Sequence, residues 1–296
     1  MIQFINKVQS KIKRSIYIFY IRHFRKYLRI SSYPYVSGDT FRSISDHVID
    51  EITNINISKV KKQDIIFVKT DFLDYFFEKV FTKIPDEIKI ISHNSDYEIN
   101  DKYINLIENT KITWFAQNLS IDSSQHKKFN PVPIGLENRS YLKNGKLSHF
   151  KDRNLFQGEK ETKVYCSFNF STNNKRIYVY NKLKNHEEII FSRFKDHKSF
   201  IYDLSKYQFN LCPEGNGLDT HRIWESLMLG VIPIVENSNF ISNFGNHKIP
   251  MLILNQWEEL MKLTKQDLNE IYLSKKNELQ NNDYLFIDYW EKFIRN

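Results

Sequence analysis

Apolar and polar positions along this chain fall into a repeated order of strands and helices. The run "DIIFVKT" (Asp64–Thr70) is continuously apolar at its centre, which is typical of a strand buried on both faces. The stretch "DFLDYFFEKVF" follows it and predicts a helix. Two further apolar runs, "IKIIS" (Ile88–Ser92) and "KITWFAQN" (Lys111–Asn118), predict the next strands of this first series.

A second series of the same kind begins at "KVYCSFNF" (Lys163–Phe170). Strands that alternate with helices in this way predict an α/β fold with parallel sheets. The later predicted units are a helix near Ile177–Leu183, the strand "EEIIFSRF", a helix near Phe200–Tyr207, the strand "QFNLC", a helix over Thr220–Leu229, the strand "VIPIV", and one or two helices over Lys265–Asn296.

The polar and charged stretch from about Asn138 to Glu161 separates the two series and predicts a domain boundary. A chain of 296 residues is long enough for two modest domains. We therefore expect a basic amphipathic segment over residues 1–36, an N-terminal domain over 37–145, a C-terminal domain over 160–270, and C-terminal helices over 271–296.

Composition and cysteine usage exclude several classes of protein. Hydrophobic residues at 41% and aromatic residues at 15% predict a folded globular chain. The two cysteines, Cys166 and Cys212, lack the spacing of zinc ligands or of a disulfide framework, so a reducing cytosolic compartment is the default expectation. No Walker A, GxGxxG, HExxH or GxSxG motif occurs in the sequence.

The net charge of +8 is concentrated at the N-terminus. Residues 1–38 contain eight Lys or Arg and no acidic residue, which leaves 35 basic and 35 acidic residues in the rest of the chain. The apolar run "IYIFYI" is far shorter than the roughly 20 residues needed to span a bilayer. Basic residues interleaved with Ile, Phe and Tyr predict a helix on an anionic membrane surface. The alternative is a solvated basic helix packed on its own domain.

The stretch "CPEGNGLDTHRIWESLMLG" (Cys212–Gly230) carries the strongest chemical signal in the sequence. Gly215 and Gly217 lie between a predicted strand and a predicted helix, where backbone N–H groups and the helix dipole bind anions. Arg222 lies in the first turn of that helix, where the dipole alone favours an acid. An anion such as a diphosphate bound opposite Arg222 accounts for this placement.

Two features of the same helix leave alternatives open. Either Asp219 or Thr220 can cap its N-terminus. Glu225 lies three residues after Arg222, so the two side chains can instead form an ordinary surface ion pair worth a few tenths of a kcal/mol.

From Tyr207 to Val235 the chain resembles the donor-binding stretch of exostosin-type glycosyltransferases: a strand, Pro-Glu-Gly, a helix with Arg and Glu, and "GVIPIV". It is also similar to the corresponding stretch of fucosyltransferases. The resemblance implies a GT-B fold, an α/β protein with two Rossmann-like domains facing a crevice. It further implies that a nucleotide-sugar donor is bound by Glu214, Gly215, Asn216, Gly217, Thr220, Arg222 and Glu225, with Glu225 on the ribose hydroxyls.

Other stretches fit the same resemblance. "VYCSFNFSTNNKR" resembles the first strand and loop of the donor domain, where fucosyltransferases place a diphosphate-binding arginine, and Arg176 matches that position. "VPIGLEN" (Val132–Asn138) resembles the segment that leads into the interdomain hinge. "SGDTFRSISDH" (Ser37–His47) is similar to exostosin-like bacterial proteins, but no chemistry is assigned to it. Since GT-B enzymes generally work without an essential divalent ion, no cofactor and no metal site are expected.

A second candidate site is "SHNSD", which follows a predicted strand. Loops at the carboxyl ends of strands open towards the crevice of a doubly wound sheet. Inverting sugar transfer needs a base for the acceptor hydroxyl, and Asp96 or His93 can serve, with Glu137 in the hinge loop as a further candidate. Ser, Asn and Asp are also ordinary turn residues, so the alternative is a simple turn.

The sequence therefore predicts a glycosyltransferase that moves a hexosyl or pentosyl unit from a nucleotide-sugar to a carbohydrate or lipid-linked acceptor, with inversion. Bacterial surface polysaccharide assembly and a location at the inner face of the membrane follow from the resemblance and the basic N-terminus. Two other classes remain open: a non-catalytic nucleotide- or carbohydrate-binding protein of the same fold, and a nucleic-acid-binding protein that uses the basic N-terminus.

Overall fold

A computed structural model of the chain describes residues 15–16, 19–20, 23–24, 28–152, 154–193 and 196–296. Most of the predicted amphipathic segment over residues 1–36 therefore lies outside the described residues. Within the described residues, no helix is both long enough and apolar enough to cross a membrane.

The first half of the chain forms a parallel sheet of five strands in sequential order. All five residues of the central strand are buried, which agrees with the continuous apolar runs expected of a sheet covered on both faces. The strands are β1 (His47–Ile49), β2 (Ile65–Lys69), β3 (Lys89–His93), β4 (Thr113–Ala116) and β5 (Phe129–Pro131).

The second half forms another parallel sheet of five strands, in the order β10-β9-β8-β6-β7. The chain leaves β6 for β7 on one side and then returns to β8 on the other, so the strand order reverses at β6. Ligands of open parallel sheets bind at such a reversal. The strands are β6 (Glu161–Cys166), β7 (Ile189–Phe191), β8 (Tyr207–Leu211), β9 (Ile232–Glu236) and β10 (Leu252–Leu254).

Helices connect the strands and cover both sheets. Within the described residues the α-helices are α1 (Gly38–Ser43), α2 (Leu73–Tyr75), α3 (Ile104–Ile107), α4 (Asn154–Gln157), α5 (Lys175–Leu183), α6 (His197–Leu204), α7 (His221–Met228), α8 (Asn239–Ser242), α9 (Lys265–Ser274), α10 (Lys276–Gln280) and α11 (Ile287–Arg295). Short 3-10 turns lie at Ile57–Lys59, Thr70–Phe72, Phe81–Lys83, Asp101–Tyr103, Leu147–Phe150, Phe170–Thr172, Gly245–His247, Trp257–Lys262 and Asp283–Leu285.

The helix predicted for "DFLDYFFEKVF" is irregular. A 3-10 turn leads into α2, and a π-turn over Phe76–Val80 follows it. Three phenylalanines pack together there: the Phe76 and Phe77 ring centroids are 5.1 Å apart, and the Phe77 ring is also 5.7 Å from Phe81. Their contacts with each other and with Trp114 take precedence over regular helical hydrogen bonding.

The C-terminal helix packs against the first sheet. The Phe293 ring lies edge-on to Phe115 at 5.5 Å, and Lys89 Nζ donates to the Arg295 carbonyl at 2.7 Å. The predicted α/β class, with two parallel-sheet units and C-terminal helices, is therefore confirmed.

Candidate functional site: a cleft between the two sheets

A cleft of about 550 Å³ opens between the carboxyl ends of the two sheets. Its walls are the loops that follow β3, β4 and β5 on one side and β6 and β8 on the other. This arrangement, two parallel sheets facing a crevice, is the GT-B architecture. Among the residues in its walls are Gly38, Lys69, His93, Asn94, Asp96, Gln117, Glu137, Asn138, Asn169, Arg176, Gly215, Asn216, Gly217, Thr220, His221 and Arg222.

Direct hydrogen bonds join the two walls at the floor of the cleft. We call the half of the chain built on the sheet β1–β5 the first unit and the half built on β6–β10 the second unit. Asn118 in the first unit accepts from the Asp219 N–H at 2.9 Å and donates to the Ser95 carbonyl. Asp219 accepts in return from the Ile134 N–H at 2.7 Å. A Cβ on Gly217 would lie 2.6 Å from Asn118 Nδ2, so a glycine is needed here for the close approach of the two units.

Arg176 and Arg222 come together beside the loop after β8. Arg176 is only 2% exposed, and its guanidinium donates to the carbonyls of Glu214 (2.8 Å) and Asn169 (3.2 Å). Arg222 Nε donates to the Ser167 carbonyl at 2.8 Å. Burial and then the neighbouring Arg222 charge lower the pKa of Arg176 to about 10.

Neither arginine has a carboxylate partner in the described part of the chain. The ion pairs found there do not include Arg176 or Arg222, although both line the cleft. Glu225 acts on Arg222 through its charge but is hydrogen-bonded to His197, so no carboxylate of the described residues contacts either guanidinium directly, and this favours a bound anion.

The loop and helix N-terminus beside the arginines differ in detail from the predicted anion site. The Gly215 N–H donates to the Gly217 carbonyl at 3.1 Å, so it is not free for a ligand. Thr220 occupies the N-cap position of α7, but its side chain makes no capping hydrogen bond. Instead Asp219 Oδ1 accepts from the Thr220 N–H at 2.7 Å. Asn216 and Thr220 both line the cleft.

Two predicted donor-binding glutamates face elsewhere. Glu225 is buried and is not among the residues of the cleft; its Oε1 lies 2.7 Å from His197 Nε2, and it forms no direct ion pair with Arg222. Burial acts to raise the pKa of Glu225, but the His197 hydrogen bond and charge hold it below its usual value. Glu214 forms an ion pair with Lys175 at 2.7 Å and lines a separate small pocket of about 20 Å³.

Of the candidate bases, His93 has no free nitrogen. Its Nδ1 accepts from the Asn94 N–H at 2.7 Å, and its Nε2 lies 3.0 Å from the Pro133 carbonyl, to which it must donate. The side chain is 1% exposed, and burial lowers its pKa to about 4. Asp96, in contrast, is exposed at the wall of the cleft.

His221 is a cleft residue that the sequence analysis did not single out. Its Nδ1 lies 2.7 Å from the Gly135 carbonyl, and its Nε2 lies 3.6 Å from Glu137 Oε2. The sequence feature that could have identified His221 is its position directly before Arg222 in the first turn of α7.

The segment "SGDTFRSISDH" builds part of the opposite wall. Asp39 at the start of α1 donates its N–H to Asn138 Oδ1 at 2.8 Å, and Asn138 Nδ2 donates to Asn94 Oδ1 at 2.8 Å. Asn94 Nδ2 closes the ring by donating to Asp39 Oδ1. A Cβ on Gly38 would overlap the Asn94 side chain, so this segment fixes the loops after β3 and β5.

Comparisons with known proteins give only remote likenesses. No family model and no curated protein match the chain. A solved structure described as trehalose-6-phosphate from E. coli bound with UDP-2-fluoro glucose aligns over 81% of this chain and 75% of that one, at 9% identity and a TM-score of 0.47. An alpha,alpha-trehalose-phosphate synthase (UDP-forming) from Burkholderia vietnamiensis aligns over 81% and 76%, at 9% identity and a TM-score of 0.45. At these values neither likeness carries a functional argument.

Proposed function

We propose that this protein is a glycosyltransferase that transfers a sugar from a nucleotide-sugar donor to a carbohydrate or lipid-linked acceptor. The observation that carries the proposal is the adjacent pair Arg176 and Arg222, which face a crevice without a carboxylate partner among the described residues. A diphosphate supplies the two negative charges that this pair lacks. Arginine is suited to phosphate because its planar N–H groups bind two oxygens at once.

The site favours catalysis by charge stabilisation. When the bond between the sugar and the diphosphate breaks, negative charge develops on the departing phosphate oxygen. Guanidinium groups already fixed by the Ser167, Asn169 and Glu214 carbonyls stabilise that charge without further reorganisation. No step of this scheme needs a metal ion.

We propose Asp96 as the base that takes the proton of the acceptor hydroxyl, as inverting transfer requires. Both nitrogens of His93 are occupied, and Glu137 lies next to His221. Asp96 is exposed on the wall opposite the arginines, and a carboxylate there can accept a proton from an acceptor that enters the cleft. Loss of such a base typically lowers the rate 10²- to 10⁴-fold.

We further propose that the N-terminal segment holds the protein on an anionic membrane, where bacterial surface polysaccharide is assembled. Its described apolar side chains Ile16, Phe19, Phe24, Leu28 and Ile30 are between 41% and 64% exposed. Basic residues alternate with them in the sequence. Exposed apolar groups with interleaved cations fit a lipid headgroup region.

The direct experiment is a thermal-shift screen of the whole chain against nucleotides and nucleotide-sugars, followed by donor hydrolysis with the best binder. A ligand at 100 times its Kd raises stability by about 2.7 kcal/mol, which is readily measured. We expect at least one nucleotide-sugar to bind and to be hydrolysed slowly. Binding without hydrolysis or transfer would instead indicate a non-catalytic binding protein, and no binding at all would contradict the proposal.

A further inference from the structure

His221 lies where the two walls of the cleft meet. It is the first residue of α7 in the second unit, yet its Nδ1 contacts the Gly135 carbonyl of the first unit at 2.7 Å. Since a carbonyl only accepts, the Nδ1 position must carry a proton. Nε2 is then the ring nitrogen on the side of Glu137, at 3.6 Å, too far for a normal hydrogen bond.

The acidic groups around the ring favour its protonated form. Burial acts to lower the pKa of His221, but the Glu137 charge, the Gly135 carbonyl and the charges of Glu225 and Asp219 together raise it. Glu137 is the largest of these favourable contributions and comes from the opposite wall.

The other titratable and cationic residues near His221 do not outweigh the acidic groups that favour its protonated form. His93 lies close enough for its pKa to be lowered by His221, and it is itself neutral because burial brings its pKa to about 4. Arg222 follows His221 directly in α7, and Arg176 lines the same cleft. All three residues line the same cleft, so an imidazolium at His221 adds a third positive charge to its walls.

We propose that protonated His221 is a third cationic group of the diphosphate site and that its Nε2–H donates to the phosphate oxygen that leaves the sugar. Glu137 is a positioning residue whose charge favours the protonated ring, and the Gly135 carbonyl orients that ring. The inference rests on the proposed function, because it assigns a group to the same donor.

The chemistry balances without a further reactant. The acceptor oxygen forms a bond to the anomeric carbon while the bond from that carbon to the phosphate oxygen breaks. The electron pair of the broken bond stays on the phosphate oxygen, where the His221 Nε2–H hydrogen bond stabilises it. The acceptor proton passes to the Asp96 carboxylate and then to solvent.

The test is the pH dependence of nucleotide-sugar affinity, measured by isothermal titration of the whole chain with UDP-glucose and with GDP-mannose. These diphosphate diesters keep a constant charge, whereas a terminal phosphate of a free nucleotide titrates near pH 6. We expect affinity to fall about 10- to 100-fold as the pH rises through the pKa of His221, because a hydrogen bond between charged groups is lost.

Three variants separate the effect of His221 protonation on affinity from the effect of its structural contacts. His221→Asn keeps an amide N–H for the Gly135 carbonyl but cannot titrate, so it should bind weakly at every pH. Glu137→Gln should move the fall in affinity to lower pH, because the charge that raises the pKa of His221 is removed. His126→Asn, on a loop that is not part of the cleft, is the matched control and should behave as the wild type. Melting temperatures establish that each variant is folded.

A pH-independent wild type, or a His221→Asn variant with wild-type affinity, would overturn the inference. If Arg222→Ala still weakened binding in that case, the proposed function would stand. If neither nucleotide-sugar bound to the wild type, the same pH series would be run with the best binder of the thermal-shift screen, and only the absence of any binder there would contradict the proposed function.

Discussion

Arg222 reaches the cleft from the first turn of α7, where the helix dipole disfavours a cation. Arg176 is nearly inaccessible to solvent, which disfavours a charge as well. Backbone carbonyls partly compensate both guanidiniums but bring no negative charge. An arginine pair held at this electrostatic cost, with no carboxylate of the described residues in direct contact, favours the binding of an anion.

We expect Arg222→Ala to lower nucleotide-sugar affinity at least tenfold, because a hydrogen bond to a charged group contributes roughly 1.5–3 kcal/mol. Arg176→Ala should lose at least as much affinity, together with some stability, because the Glu214 and Asn169 carbonyls lose their donor. The measurement is titration calorimetry with melting curves alongside. Arg295→Ala removes an exposed arginine paired with Glu291 and serves as the control. Wild-type affinity in both cleft variants would refute the phosphate assignment.

At the scale of elements, the loop after β8 is fixed by the first unit as much as by its own strand. Asn118, with φ at +54°, presents its side chain to the Asp219 N–H and leaves no space for a Cβ at Gly217. Gly217, one of the two glycines that suggested a phosphate loop, therefore also has an interdomain packing role.

We predict that Gly217→Ala destabilises the protein by about 1–3 kcal/mol, the usual cost of forcing an extra carbon into a packed contact. Donor affinity should fall as well, since the loop must move away from Asn118. Gly245→Ala is the matched control, because an added Cβ there meets no atom within 4 Å. Equal melting temperatures for the two variants would show that the contact with Asn118 does not exclude a side chain at position 217.

The N-terminal segment is a second element with a separable role. We expect deletion of residues 1–27 to release the protein from anionic liposomes without unfolding it, since about 1 kcal/mol is lost per basic residue near such a surface. The deletion should stop there because Arg29 is bound to Asp39 and Glu51 in the folded unit. Liposome sedimentation at low and high salt is the assay, with neutral liposomes as control. Undiminished sedimentation of the truncated chain would rule out this membrane contact.

For the whole molecule, α11 ties the second unit to the first through a buried aromatic cluster. His247 lies within it, 4.6 Å from the Trp290 ring and 2.8 Å from the Tyr289 hydroxyl. Burial lowers the pKa of His247 to about 4. The neutral ring is therefore part of what holds the two units together.

This predicts a loss of stability on acidification. The folded-state pKa is depressed from an unfolded value of 6.5 to about 4, so the stabilisation is present above pH 6.5 and is lost as the pH falls towards 4. His247 and His93 should each contribute about 3 kcal/mol over that window. Denaturant unfolding at several pH values should show the free energy of unfolding falling as the pH falls from 6.5 to 4. His247→Gln should make this fall smaller. His126→Gln is the control. If His247→Gln left the pH dependence of the free energy of unfolding unchanged, His247 would not be responsible for it.

The sequence by itself determined the fold class and much of the cleft. Long apolar runs between helical stretches admit only strands buried on both faces, and the loops after parallel strands meet at one edge. For this reason Arg222 and Asp96 were predicted near a common crevice from local patterns, whereas Arg176 was assigned to it by the resemblance to fucosyltransferases. The three-residue strands β1, β5 and β10 were not predicted, because so short a strand carries little periodicity. Strand β7 is equally short but lies within the predicted strand "EEIIFSRF".

Only the tertiary structure decided what each side chain touches. Glu225 turns to His197, both nitrogens of His93 are occupied, and His221 crosses to Gly135. These partners lie 28 to 86 residues apart in the chain. Local sequence sets which face of a helix a residue occupies, but the packing of the two sheets sets what lies opposite that face. The positions of charge and proton at this site are therefore properties of the assembled cleft.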